Sequence, residues 1–323
     1  LAEREEGSMK ENLRINRLPV PTWNRLQVND ASVEWDSEEA AQKEERIAAA
    51  SGEDKKFHLT ITDQGDYSSK KVTVRAEKNS SITIYEVCRA ARPLRAELLL
   101  EALEGADITL YQLLTPLTRT KLLHRVSGSC GENSQIRLVT AMLGEGDIYC
   151  DHGVELLGDH SSLKVQAAYL GKGNQLLDYN MTADHYGKNT ESEIKAAGAL
   201  KDAARKIFRG TIDFKKGASD SVGSENETVL MLSDEAVNKT VPLILCAEES
   251  VEGSHGATIG ELDDETLFYF ESRGIKREEA EKILSKAAIK RIMGLCGDPE
   301  FAGQIRELLA EEDEEKENEA EGL

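Results

Sequence analysis

Six histidines, His58, His124, His152, His160, His185 and His255, are the residues of this chain best suited to proton or metal chemistry. Cys150-Asp151-His152, with His160 shortly after, offers ligand types that suit zinc or iron. On a strand adjacent side chains point to opposite faces, so Cys150 and Asp151 cannot easily share a metal, whereas Cys150 and His152 share a face. The commoner outcome for such residues is a solvated polar face, and that is expected here. Asp184 and His185 also diverge on a strand, and with Thr190 and Ser192 they read as a turn with hydroxyl caps. His255 differs in context. It stands at the end of a strand between Gly253 and Gly256, where a partner or ligand has room to approach, and neutral imidazole suits a borderline metal such as iron. No Walker A, GxGxxG, GxSxG or HExxH pattern occurs, so neither a nucleotide site nor a hydrolase elbow is expected.

Composition narrows the function classes. The 323 residues carry 40 basic and 60 acidic side chains, a formal charge of −20. That balance argues against nucleic acid and against an anionic membrane surface as partners. No apolar stretch approaches a membrane span, and Leu1-Ala2-Glu3-Arg4-Glu5-Glu6 is no signal peptide, so a cytoplasmic location is expected. Five cysteines, Cys88, Cys130, Cys150, Cys246 and Cys296, form no CxxC pair and read as free thiols.

The elements that must position these residues follow from periodicity. Residues 1–55 read as an N-terminal arm, proline-rich at Leu18-Pro19-Val20-Pro21-Thr22 and anchored by Trp23, followed by a helix over Ser37–Ala50 with Ser37 as N-cap. Residues 56–255 alternate with period two, as in Phe57, Leu59 and Ile61, or Val72 and Val74, or Ile82 and Ile84. Polar turns recur at Gly105, Gly144, Gly173 and Gly217, and a strand is expected over Ala91–Gly105 despite its Leu, Ala and Glu content. Repeated strand–turn units without helices indicate a solenoid, with a jelly-roll sandwich as the alternative.

Over residues 256–310 the period becomes helical. Asp263 is placed as an N-cap between Leu262 and Leu267, and Gly274 as the residue that ends the helix. A second helix presents Ala280, Ile283, Leu284, Ala287, Ala288 and Ile292, Phe301–Leu309 suits a third, and short amphipathic helices after a β-body can present a docking surface. Residues 311–323 read as an acidic disordered tail.

Ser254-His255-Gly256-Ala257-Thr258-Ile259-Gly260, continuing through Leu262-Asp263, Leu267-Phe268-Tyr269 and Ser272-Arg273-Gly274-Ile275, resembles the C-terminal signature of the SufB/SufD scaffold proteins of iron–sulfur cluster assembly. The likeness extends over about 174–292, through Asp184-His185, Arg209-Gly210-Thr211-Ile212, Glu227–Ser233 and Val241–Leu245, and more weakly through Leu18-Pro19 and Thr22-Trp23. The resemblance implies a mainly β fold, a right-handed parallel β-helix with an N-terminal arm and a C-terminal α-helical segment. It implies a scaffold, not an enzyme, that holds an iron–sulfur cluster transiently, with a sulfur donor, a second SufB/SufD-type subunit (itself or a paralogue) and a SufC-type ABC ATPase as partners. No residue pattern marks or excludes a flavin site.

Carried onto this chain, His255 matches the family's interface histidine, a candidate metal ligand. Gly256 matches the SufD-like form, since many SufB proteins have glutamate there. Glu227 stands where SufB proteins carry a cysteine, and Cys246 on the neighbouring strand is the alternative thiol. Leu262, Leu267, Phe268, Phe270, Arg273 and Ile275, with Ile283 and Leu284, are the expected ATPase-docking residues. A SufB-type scaffold, a SufD-like accessory subunit without its own cluster, and a β-helix enzyme acting on a polymer are the three readings. The last is disfavoured by the lack of a carboxylate and basic cleft pattern.

Overall fold

The computed structural model describes residues 9–22, 24–37, 42–63 and 69–321. Period-two alternation becomes two eight-stranded parallel sheets facing each other. The first holds β3 (Gln42–Ala49), β5 (Ser69–Ala76), β7 (Leu94–Ala102), β9 (Lys121–Cys130), β11 (Asp147–Leu156), β13 (Leu176–His185), β15 (Arg205–Phe214) and β17 (Val237–Cys246). The second holds β4 (Asp54–Thr62), β6 (Ser81–Ala90), β8 (Asp107–Pro116), β10 (Gln135–Met142), β12 (Ser162–Gly171), β14 (Glu191–Leu200), β16 (Ser221–Met231) and β18 (Val251–Glu261). Each strand crosses to the other sheet before the chain returns, which makes a parallel β-solenoid. Its core is the set of inward residues, among them Ile61, Val74, Leu100, Leu110, Leu138, Val165, Ile194 and Ile212.

The corners set the period. Gly52, Asn79, Gly105, Asn133, His160, Asn189 and Asp220 all have positive φ and follow one another at intervals of 26 to 31 residues. Four of the seven are Asn or Asp, which tolerate the left-handed conformation, so a search for glycine alone finds an incomplete repeat. Gly144, Gly173 and Gly217 also take positive φ, as the turn pattern requires. The strand expected within Ala91–Gly105 is β7.

The helix expected over Ser37–Ala50 is absent. Ser37 ends a strand, and Gln42–Ala49 form β3, paired in parallel with β5 (38–41 lie outside the described residues). Helix propensity separates ordinary residues by only about 0.7 kcal/mol each, less than sheet pairing and the burial of Ile47 and Ala49 supply. Ahead of it, β1 (Met9–Ile15) and β2 (Ala31–Ser37) form an antiparallel pair that lays Ile15, Val33 and Trp35 over Leu123 and Tyr149. Buried Arg209 pins this arm: its guanidinium donates to the Val28 carbonyl and pairs with Asp178, to which Asn16 also bonds. Trp23 lies outside the described residues.

Four helices follow the solenoid: α1 (Asp264–Glu271), α2 (Arg277–Ser285), α3 (Ala287–Leu295) and α4 (Pro299–Glu321). Asp263 caps α1, accepting from the Thr266 N–H at 2.7 Å, and Gly274 takes φ of 78° beyond its end. Ile289, Ile292, Phe301, Ile305 and Leu309 pack on the outward face of the second sheet, against Tyr85, Val87, Tyr111, Leu113 and Val139. The Tyr85 and Tyr111 hydroxyls donate to the carbonyls of Cys296 and Leu295, satisfying groups left open at the end of α3. Where a disordered tail was expected over 311–323, the α4 backbone stays helical to Glu321.

Candidate functional site

Both sheets end on an open edge. β17 closes the first and β18 the second, and each pairs on one side only. On β16 the inward residues are Ser221, Gly223, Glu225, Glu227 and Val229. Lys206 and Gly210 face them from β15, and Thr240 lies next along the first sheet. Two buried carboxyls and one buried ammonium therefore meet just inside the last coil.

Glu227 is committed. It accepts from the Tyr169 hydroxyl at 3.0 Å, from the Lys206 ammonium and from the Thr240 hydroxyl. Burial pulls the Lys206 ammonium down to about 8, partly offset by Glu227, and its Nζ lies 5.5 Å from the centre of the Tyr169 ring. Glu225 is pushed up to about 8, first by burial and then by the charge of Glu227. Glu225 is therefore protonated at neutral pH, beside the Lys206–Glu227 contact. Gly210 makes the room: a Cβ there would stand 2.2 Å from the Glu225 carboxyl carbon. The Oε2 of Glu225 has no partner among the described residues.

His255 lies within β18, not at a strand end, and is exposed. Its register partner on β16 is Glu225, while Ala257 is the neighbour of Glu227. By alternation His255 and Glu225 share the inward side, about 4.8 Å apart along the stack. Cys246 is exposed at the far end of β17, six residues beyond Thr240 and so roughly 20 Å along the strand from the Glu227 contact. Glu227, His255 and Cys246 are therefore not gathered into one ligand set, and no group of three metal-ligating His, Cys, Asp or Glu side chains occurs among the described residues. Gly253 and Gly256 do not open space for a ligand. A Cβ at Gly253 would meet Ile244 at 3.0 Å and one at Gly256 would meet Asn226 at 2.8 Å, so these glycines let β18 lie close to its neighbours.

The other histidines divide by pleat. Cys150 and His152 do share a face, but it is the sealed interior and not a solvated one. The Cys150 thiol faces Met142. His152 bonds His124 at 3.1 Å, His124 bonds Glu86 at 2.9 Å, and Gln112 links Glu86 to Thr140. Burial and His124 hold His152 well below its ordinary pKa, so it stays neutral. His160 stands apart at a corner. His185 is buried and bonds the hydroxyls of Thr190 and Ser192 at 2.7 and 2.8 Å, while Asp184 points away to Lys215. Lys206, Glu225, Tyr169 and Thr240 were not anticipated from sequence. Their signal is a charged or hydroxyl-bearing residue at an inward position of the alternation.

Of the expected docking residues, Phe268 is 71% exposed, with Arg273 and Ile283 also exposed, while Leu267 is buried. Leu262, Phe270, Ile275 and Leu284 are half-buried. Tyr269, 54% exposed, joins this face, with the Arg273 guanidinium 3.8 Å from its ring centre.

The fold is that of a parallel β-solenoid whose last coil is open and polar inside and which carries an appended helical face. The model of the SufBD core domain of the SUF system for FeS cluster assembly matches residues 58–288, and the chain belongs to that family. It is 30% identical to the iron–sulfur cluster assembly protein SufD of Bacillus subtilis over 220 residues, 66% of this chain and 50% of that protein. It is 26% identical to a SufBD family protein of Pyrococcus horikoshii over 252 residues, 74% of this chain and 54% of that one, and 26% identical to SufD of Escherichia coli over 171 residues, 53% and 37% of the two chains. The chain spans about half the length of the first two of these relatives.

Proposed function

We propose that this chain is a scaffold component of the SUF iron–sulfur cluster assembly machinery, without catalytic residues of its own. The observation that carries this reading is the SufBD core match over 58–288, laid on a solenoid whose last coil is open and carries an exposed His255. The open β17 and β18 edges suit a second SufB/SufD-type subunit, because unpaired N–H and C=O groups seek a further strand. The exposed Phe268, Tyr269 and Ile283 suit a SufC-type ABC ATPase, which would supply the ATP hydrolysis. The cluster is transient cargo, built from iron and a donor's sulfur, with His255 as one ligand and the remainder from the second subunit. This reading needs neither nucleic acid nor membrane, and among the described residues no helix is long and apolar enough to cross one. We place its work in the cytoplasm.

A SufD-like accessory role is favoured by a specific observation. Glu227 is engaged by Lys206, Tyr169 and Thr240, and Cys246 is remote, so no thiolate of this chain stands beside His255. Anaerobic reconstitution with ferrous iron and sulfide separates the readings: the accessory role predicts bound cluster only when a SufB-type subunit is present. His255→Ala should reduce cluster content severalfold and leave the circular dichroism unchanged. Unaltered cluster content in that variant would remove His255 from the site.

A further inference from the structure

Far from the open end, three outward residues form a row of donors on the second sheet. Arg89 on β6 is in register with Thr62 on β4 and with Thr115 on β8, at strand spacings of about 4.8 Å. The Arg89 guanidinium has no ion pair or hydrogen bond among the described residues, and its Nε is buried without a partner. Thr115, 0% exposed, likewise has an unpartnered hydroxyl. A buried donor left unmet is costly, so the free Nε of Arg89 calls for an acceptor.

Thr62 and Arg89 of this row open onto a cleft of about 480 Å³ between the sheet and α4, lined also by Thr60, Asp63, Gln304 and Glu307 with apolar neighbours, while Thr115 lies buried behind them. Its charges decide what it takes. Asp63 is already engaged, accepting from the Ala91 N–H at 3.2 Å and from Arg92 Nε at 3.1 Å. Glu307 is exposed at the rim. Arg89 is the one basic residue of the lining and makes no ion pair with a described carboxylate, Asp63 being paired with Arg92 instead.

We propose that this cleft is a binding site for a small oxyanion, a carboxylate or sulfate-like group, received by the Arg89 guanidinium and the Thr62 hydroxyl. A guanidinium supplies parallel N–H donors that match two oxygens of such a group, and these charge-assisted bonds are the strong ones. Because Gln304 on α4 lines the same cleft, the bound anion would bridge the sheet to the last helix.

Titration calorimetry on the full chain, with sodium sulfate and sodium acetate against chloride at constant ionic strength, tests this. Saturable binding of either anion is expected, and the tighter of the two tells whether the site suits a tetrahedral or a planar group. Arg89→Gln should weaken it by tenfold or more, at about 1.4 kcal/mol per tenfold. Thr62→Val, which keeps the charge, should weaken it about fivefold, the worth of one hydrogen bond; this variant carries the test if Arg89→Gln fails to fold. No saturable binding of either anion to the native chain overturns the proposal, as does binding that these substitutions leave unchanged. Neither result bears on the scaffold function, whose readout is cluster content.

Discussion

At the scale of residues, the open end is governed by how two carboxyls and one ammonium divide their protons. Glu225 is held up near 8 from an ordinary value of 4.5, because burial and the neighbouring Glu227 both oppose a second negative charge. The folded chain therefore keeps a proton that the unfolded chain releases. Its stabilising contribution is full below pH 4.5 and is lost as pH rises through about 8. His185 acts in the opposite sense: burial brings it down from 6.5 to about 4, so it destabilises the fold as pH falls through that interval. Lys206, brought down to about 8, contributes its own change only from about that pH upward. Between pH 6.5 and 8 the Glu225 effect should dominate. Native protein should lose about 2 kcal/mol relative to Glu225→Gln across that interval. Urea unfolding of both proteins at several pH values checks this, and parallel curves would show that Glu225 is ionised throughout. The groups facing it are Glu227 two residues along β16, Lys206 across the coil and His255 on the next strand, and all three are common to both proteins.

At the scale of elements, the helical layer is fixed by a few caps and one apolar seam. Asp298 accepts from the Phe301 N–H at 2.8 Å, with Pro299 at the first helical position, and stands 3.3 Å from His58 of β4. Asp298→Ala should cost about 1 kcal/mol and speed amide exchange at the start of α4, while the solenoid strands keep their protection. Uniform loss of protection would mean that α4 and the solenoid unfold as one unit. The caps were readable in advance: Asp263 and Gly274 sit where the expected motif puts them. The Gln42–Ala49 strand was not, because its Glu, Lys and Ala content has helical preference and only pairing with β5 overrules it. The coil period was half legible. Glycine corners stood out, whereas Asn79, Asn133, Asn189 and Asp220 do the same work with residues common in any loop.

At the scale of the whole molecule, the two ends of the solenoid differ in kind. The first strands carry Lys43, Glu44, Arg46, Lys55 and Lys56, a charged edge of the sort that discourages further strand pairing. The last strands carry Val241-Pro242-Leu243-Ile244-Leu245 and a β18 with no charge between Glu252 and Glu261, with Ile259 57% exposed. Growth of the sheets is thus blocked at one end and open at the other. The two interior polar groups, Glu86 with His124 and Lys206 with Glu227, were not legible because a polar residue at an inward position cannot be told from one on a solvated face until the register of both sheets is fixed. The family signature around His255 was legible, and the geometry then separated His255, on the open edge beside Glu225, from Glu227 and Cys246.

The proposed scaffold role stands or falls with an ABC-type ATPase received on the helical face. Anaerobic affinity purification of the tagged chain from its native lysate, followed by identification of bound proteins, tests it most directly. An ABC-type ATPase in roughly equal amount is predicted, and it should be lost when the exposed Phe268 and Tyr269 are both replaced by Glu, with the fold intact by circular dichroism. Purification without any such ATPase, with or without added ATP, would contradict the claim.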